Sequence, residues 1–222
     1  MEQSDTPFEF STVEGFFPTP VWVFDLPSER ASVLNSRLRA SLESMLMPLP
    51  DIAKGATWQT EQNLHEVPEF QELTALIQQG ATSALQSLEV EQSDLAITAC
   101  WANINPRGSA HKSHTHPNNY LSGVYYLKVP PGSGMISFND PRSQTRIIVP
   151  RPVTHNSYNT LSQSLPVEEG RLVLFPAWLS HSVGPNPSED VRISVSFNLM
   201  FTDFTERMSA PLWQGLKLKR PE

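Results

Sequence analysis

From Leu95 onward the hydrophobic pattern has a period of two, in stretches too short for helices. Ile97, Ala99 and Trp101 alternate with Thr98, Cys100 and Ala102. Further runs follow at 123–129, 135–138, 147–149, 172–175 and 191–200, with Pro, Gly, Asn or Ser clusters between several of them. Successive side chains of a strand point to opposite faces, so short alternating runs at this spacing predict an antiparallel sandwich or barrel. The 20 prolines among 222 residues exceed the usual ~5%. Proline cannot donate to a central ladder, and its abundance fits many short elements joined by rigid turns.

The first third has the helical period instead. Pro27-Ser28-Glu29 reads as a helix start, with Ser28 able to cap free amides and Glu29 favourable to the dipole. Leu34, Leu38, Leu42 and Met45 then recur every three or four residues. A second helix is predicted over 69–88, where Phe70, Leu73, Ile77, Ala81, Ala84, Leu85 and Leu88 share a face. Val21 to Phe24 is a short apolar strand candidate. Helices first and strands afterwards predict an α+β chain, mainly β: a barrel or jelly roll backed by N-terminal helices. With no repeat and no linker composition, 1–222 reads as a single domain. Within it, 1–92 is mostly helical support, 93–205 the jelly-roll core and 206–222 a C-terminal tail.

Charge and composition narrow the function. The net charge of −7 without a long basic run argues against a nucleic-acid partner, which needs a cationic stripe. No apolar stretch approaches the ~18 residues of a membrane span, and the first residues lack the basic start and apolar segment of a secretory signal. The expectation is a cytoplasmic protein without a membrane partner. The single Cys100 excludes an internal disulfide and a zinc ribbon.

Three histidines, His111, His114 and His116, fall within six residues. In extended chain, residues two apart project to the same side, so His114 and His116 can present two imidazoles to one metal ion. His181 is the third candidate, just past an apolar strand in a turn rich in bulky residues that would hold its ring and keep the site dry. His65 and His155 have no partner at ligand spacing and receive no role. A cupin would add a glutamate four or five positions past the second histidine, where this chain has Tyr120 and Leu121. Imidazoles with at most one carboxylate, leaving positions open, suit iron(II). In the run 191–200, Val191, Ile193, Val195, Phe197 and Leu199 form one face. Arg192, Ser194, Ser196, Asn198 and Met200 form the other, which points either to solvent or into a barrel interior. An arginine buried there would require an anion.

The run 114–127, His-Thr-His-Pro-Asn-Asn-Tyr-Leu-Ser-Gly-Val-Tyr-Tyr-Leu, resembles the first metal segment of the 2-oxoglutarate/iron(II) dioxygenase superfamily, and more narrowly an uncharacterised bacterial branch of it. The resemblance continues through 136–142, 170–181 and 192–198 and touches 17–21 and 58–64. It implies a double-stranded β-helix and an Fe(II)- and 2-oxoglutarate-dependent oxygenase, with hydroxylation and release of succinate and CO2 as the default outcome. Arg192, eleven residues after His181, stands where the superfamily's arginine binds the distal carboxylate of 2-oxoglutarate; Ser194 and Tyr126 would complete that site. The superfamily usually has His-x-Asp or His-x-Glu in the first segment, and His116 occupies the carboxylate position here. Three ligand sets stay open: His114, His116 and His181; Asp140 in place of His116; or His114 and His181 with water, as in aspartyl/asparaginyl β-hydroxylase-like enzymes. The first is favoured because His114 and His116 need no rearrangement to meet one ion.

Two other functions compete. One is a three-histidine dioxygenase that does not use 2-oxoglutarate, with Arg192 binding the substrate's own carboxylate. The other is a non-catalytic jelly-roll module whose metal is structural or absent. For an oxygenase the partners are O2 and a small-molecule or peptide substrate; a homodimer is compatible with the sequence. Trp101, Asn103, Asn118, Asn119, Tyr120 and Arg142 fall near the expected mouth, with Asn103, Asn119 and Arg142 as the substrate-contact candidates.

Overall fold

The computed structural model describes residues 10–46, 52–90, 94–133 and 135–204. The tail expected over 206–222 and the first residues lie outside the described residues. Two helices and ten strands carry the fold. Strand β1 (Trp22–Asp25) and helix α1 (Ser28–Met45) come first. Strand β2 (Trp58–Gln59) and helix α2 (Gln71–Ser87) follow. Then come β3 (Leu95–Asn105), β4 (His111–His114), β5 (Leu121–Lys128) and β6 (Met135–Asn139). The last four are β7 (Ser162–Pro166), β8 (Arg171–Pro176), β9 (His181–Val183) and β10 (Arg192–Phe201).

The strands form two antiparallel sheets. One has the order β1-β8-β5-β10-β3-β2, the other β4-β9-β6-β7. Of the barrel and the jelly roll that the pattern allows, this is the jelly roll. The edges of the larger sheet, β1 and β2, come from the part of the chain read as helical support.

Alternation divides the larger sheet into two faces. Val195, Phe197 and Leu199 of β10 join Tyr125 and Leu127 of β5 in a core shared with Leu34, Leu38 and Leu42 of α1 and Leu73, Ile77 and Leu85 of α2. The helices therefore cover the outer face. The inner face meets the smaller sheet in a second apolar cluster that includes Val124, Tyr126, Val173 and Phe175 opposite Ile136, Phe138 and Leu179. Asn35, buried on α1, ties helix to sheet: its Oδ1 accepts from Tyr125 Oη at 2.8 Å. At Gly80 a Cβ would lie 3.0 Å from Leu174 Cδ1, so the absence of a side chain lets α2 approach the sheet.

Two expectations change. Ser28 is the first helical residue, not the cap; Pro27, with φ −52°, takes the cap position and no side-chain cap bond forms. Proline sets the entry dihedral itself, which places the Ser28 hydroxyl one residue too late. The apolar run 147–149 is not a strand. It follows a 3-10 turn at Ser143–Arg146, and Ile147 and Ile148 are 78% and 80% exposed; β-branched composition without a partner strand suffices for the pattern but not for the pairing. The strand in that region is the largely polar β7, paired with β6. An exposed strand on the edge of the sheet needs no apolar face, so nothing in its composition announces it.

Candidate metal centre and anion cavity

His114 and His181 are directly opposed partners of the β4–β9 ladder. Cross-strand partners put side chains on one face, and the two rings lie 4.4 Å apart. His116, two residues beyond the end of β4, is held by its backbone N–H, which donates to Ala177 O at 2.9 Å. Its ring is 5.0 Å from that of His114 and stacks on His181 at 5.1 Å. One nitrogen from each of the three lies within 4.8 Å of the other two.

The hydrogen bonds of the rings select the free atoms. His114 Nδ1 lies 2.7 Å from Lys112 O and His181 Nδ1 lies 2.9 Å from Leu179 O. A carbonyl only accepts, so each Nδ1 carries the proton and each Nε2 is left with a lone pair. This is the arrangement that orients metal-ligating imidazoles. Phe175 and Phe138 flank His181 at 4.5 and 6.3 Å. Burial, first, and the neighbouring histidine then push His116 down to about 4. His181 is also depressed to about 4, chiefly by burial. Rings that stay neutral are ready ligands, and the donor set fits a divalent transition metal.

The three histidines line a cavity of about 560 Å³, counting its open mouth. Arg192, Ser194 and Ser196 project into it from β10, and Tyr126 from β5. Ser194 pairs directly with Tyr126 on one side and Asn103 on the other. Arg192 is 1% exposed, and its Nη1 donates to Ser133 O at 2.8 Å. Among the described residues no carboxylate answers it: Glu189 pairs with Arg107 and Lys54, and Asp190 with Lys128. Desolvation lowers the Arg192 pKa. Burial raises that of Tyr126, keeping its hydroxyl protonated as a donor. A buried guanidinium that faces a cavity, without an acidic partner among the described residues, could hold an anion.

The other sequence candidates fall into two groups. Asn103 lines the cavity, 3% exposed, and is held by three bonds: Oδ1 accepts from Gln59 and Trp101, while Nδ2 donates to Ser196. Asn119 and Arg142 do not line it. Asn119 Oδ1 accepts from Thr98 at 2.6 Å. Arg142 grips Asp140 with two side-chain bonds, at 3.0 and 2.9 Å. The same grip, with the Arg142 backbone N–H, holds the Asp140 carboxyl at about 2 and occupies its oxygens. Asp140 is not one of the converging group.

Two cavity residues escaped the sequence reading. Gln59 comes from the two-residue β2, which pairs with β3. His111 was counted in the histidine run, but at three residues from His114 its parity is wrong for one face. The ladder corrects it: His111 opposes Val183 while His114 opposes His181, so three steps on β4 match two on β9. This bulge turns both rings into the cavity. Burial, with the Arg192 and His114 charges adding to it, depresses His111 to about 4.

The fold and segments match known proteins. The structure is similar to a Pseudomonas putida prolyl-4-hydroxylase, with 15% identity over 82% of this chain and 93% of that one and a TM-score of 0.57. It is also similar to HygX from Streptomyces hygroscopicus, solved with nickel and 2-oxoglutarate bound, with 14% identity, 83% of each chain covered and a TM-score of 0.59. A third is SnoK, a non-heme α-ketoglutarate-dependent carbocyclase of nogalamycin biosynthesis, with 15% identity over 82% of this chain and 80% of that one and a TM-score of 0.58. No curated protein matches the sequence. The model of the family described as "Putative 2OG-Fe(II) oxygenase" matches residues 99–198. That segment runs from within β3 into β10 and holds the three converging histidines, Tyr126 and Arg192.

Proposed function

We propose that this protein binds Fe(II) through His114, His116 and His181 and 2-oxoglutarate through Arg192, and hydroxylates a small-molecule or peptide substrate with release of succinate and CO2. The observation that carries the reading is the joint geometry. Three imidazoles with converging nitrogens stand in one cavity with a buried arginine that no carboxylate among the described residues neutralises.

Each residue then has a defined task. His114 and His181 offer Nε2, their rings locked by Lys112 O and Leu179 O. His116 supplies the third nitrogen. Arg192 attracts the distal carboxylate through a planar fork of charged donors, and Ser194 and the protonated Tyr126 hydroxyl add neutral ones. Phe175, Phe138 and Ile136 wall the site and restrict water. Asn103, fixed by its three bonds, and Trp101, 6.1 Å from His116, present a mixed polar and aromatic rim to substrate. Iron, when bound, supplies O2 activation coupled to oxidative decarboxylation of the keto acid.

A neutral all-imidazole set also favours a second reading, a three-histidine dioxygenase that binds its substrate's carboxylate at Arg192 without 2-oxoglutarate. Succinate separates the two. Iron-loaded protein supplied with 2-oxoglutarate and air should form succinate, even without substrate, at a slow uncoupled rate. No succinate above an Arg192→Ala control, across a panel of candidate substrates, rejects the first reading. Among the described residues no helix is long and apolar enough to cross a membrane.

A further inference from the structure

The cavity opens at its metal end, where His114 is exposed, while Arg192 and Tyr126 are buried deeper in it. Strand β6 finishes beside that opening. Its Phe138 opposes His181, and Asn139 Nδ2 donates at 2.8 Å to Oγ of Ser113, the neighbour of His114. There the chain leaves the sheet for an excursion over 140–161, closed at its base by Asp140 N–H, which donates to Leu161 O at 2.9 Å. The excursion holds one 3-10 turn and no strand before β7 begins at Ser162. Connections this long without structure of their own are uncommon in compact domains and are usually functional.

Two properties set this surface apart. It is apolar: Ile147, Ile148 and Val153 are at least 78% exposed, and Trp178, in the turn that leads to His181, is 56% exposed. Exposed apolar side chains grouped on one loop mark an interaction surface. It is also cationic. The chain carries −7 overall, yet 95–167 has six lysines and arginines and a single carboxylate, Asp140. Arg142 already grips Asp140. Arg146 and Arg151, which bracket the apolar run, have no ion pair among the described residues.

Charge selects the occupant. A second copy docked through the same face about a two-fold axis would set these arginines against their equivalents, which repel. A small molecule held in the cavity would not touch the excursion, since none of its residues lines the cavity. A chain that is itself acidic and apolar satisfies both properties, spread over the surface with one side chain at the opening. We propose that the 140–161 excursion is the docking surface for a polypeptide substrate that is acidic and apolar around its reacting residue. Arg146 and Arg151 receive its carboxylates, and Ile147, Ile148 and Val153 its apolar side chains. The inference rests on the oxygenase reading above and narrows its substrate class to polypeptide.

The test uses full-length protein loaded with Ni(II), which does not turn over, and labelled random copolymers followed by fluorescence anisotropy. Poly(Glu,Tyr) should bind, poly(Glu) about tenfold more weakly for want of apolar side chains, and poly(Lys,Tyr) not at all. Arg146→Glu/Arg151→Glu and Ile147→Ser/Ile148→Ser should each weaken poly(Glu,Tyr) about tenfold or more. Both double variants change exposed side chains, so the urea midpoint and the Ni(II) content should stay those of wild type. Binding should change the tryptophan emission of wild type, and Trp178→Phe should remove most of that change. Wild-type protein that does not bind poly(Glu,Tyr), or double variants that bind it like wild type, overturns the proposal. Binding to phosphatidylglycerol vesicles without binding to the copolymer gives the surface to a membrane instead. A gain in copolymer affinity on neutralising Glu2, Asp5 and Glu9 gives it to the chain's own first residues. Succinate formation by the iron-loaded protein without copolymer tests the oxygenase reading separately: succinate without copolymer binding rejects the docking surface alone, and copolymer binding without succinate rejects the oxygenase reading alone.

Discussion

At the scale of single residues, His116 is the position where this chain departs from the usual His-x-carboxylate. Its ring lies 5.0 Å from that of His114 and 5.1 Å from that of His181, while Asp140 is locked by Arg142. Metal content after reconstitution with Fe(II) should therefore fall to background in His114→Ala and His181→Ala. It should stay high in Asp140→Ala and remain measurable in His116→Asp. Iron lost from Asp140→Ala but kept in His116→Ala would reassign the third ligand. Arg192 is the second decisive residue. Replacing it by alanine removes a charged fork, so anaerobic 2-oxoglutarate binding should weaken by about 1.5–3 kcal/mol or more. Lysine should recover only part, because it keeps the charge without the planar geometry. Equal affinity in Arg192→Ala and wild type would place the cosubstrate elsewhere.

At the scale of elements, the site depends on how closely its strands pack. Gly123 lies at the centre of β5, between β10 and β8. A Cβ there would run into the Phe197 ring and sit 2.7 Å from Val173 O. Phe197 is fully buried and Val173 O is backbone, so neither yields cheaply. Gly123→Ala should cost about 1–3 kcal/mol by overpacking, read as a lower urea midpoint with an unchanged slope. An unchanged midpoint would mean that the ring has room to turn away. The β4–β9 bulge is the other element-scale device, because it alone lets residues three apart share the cavity face. Its effect explains why His111 was invisible to parity, whereas the two faces of β10 were legible from alternation, and only the choice between solvent and cavity for the polar one was left to the fold.

At the scale of the whole molecule, burial of so many imidazoles links stability to pH. His111, His116 and His181 are all depressed to about 4, against an ordinary value near 6.5 in the unfolded chain. Above ~6.5 they are neutral in both states and contribute nothing to the pH dependence. As pH falls from there toward about 4, the unfolded chain takes up protons that the folded chain does not, so stability falls. The depressed carboxylates Asp25, Glu72 and Asp140 act in the same direction only at lower pH, as their unfolded values near 4 are approached. The metal-free protein should accordingly have a lower urea midpoint at pH 5 than at pH 7, and saturating Ni(II) at pH 7 should raise it further by mass action. A midpoint flat between pH 7 and 5 would show that these rings do not resist protonation.

The sequence alone limited the fold to a barrel or jelly roll, put the helices on the apolar face of β10, and singled out His114, His116, His181 and Arg192 as candidates. Those are local properties: period, parity and residue type need no partner to be read. Only the tertiary structure decided which candidates meet. His114 and His181 are far apart in the chain and become neighbours through strand register; Arg192 finds no carboxylate among the described residues, Glu189 and Asp190 being engaged elsewhere. Asp140 is withdrawn by Arg142, and His111 is brought in by one extra residue in a ladder. Register, ion-pair choice and bulges are settled by competition among distant segments for the same partners, and that competition leaves no trace in local pattern.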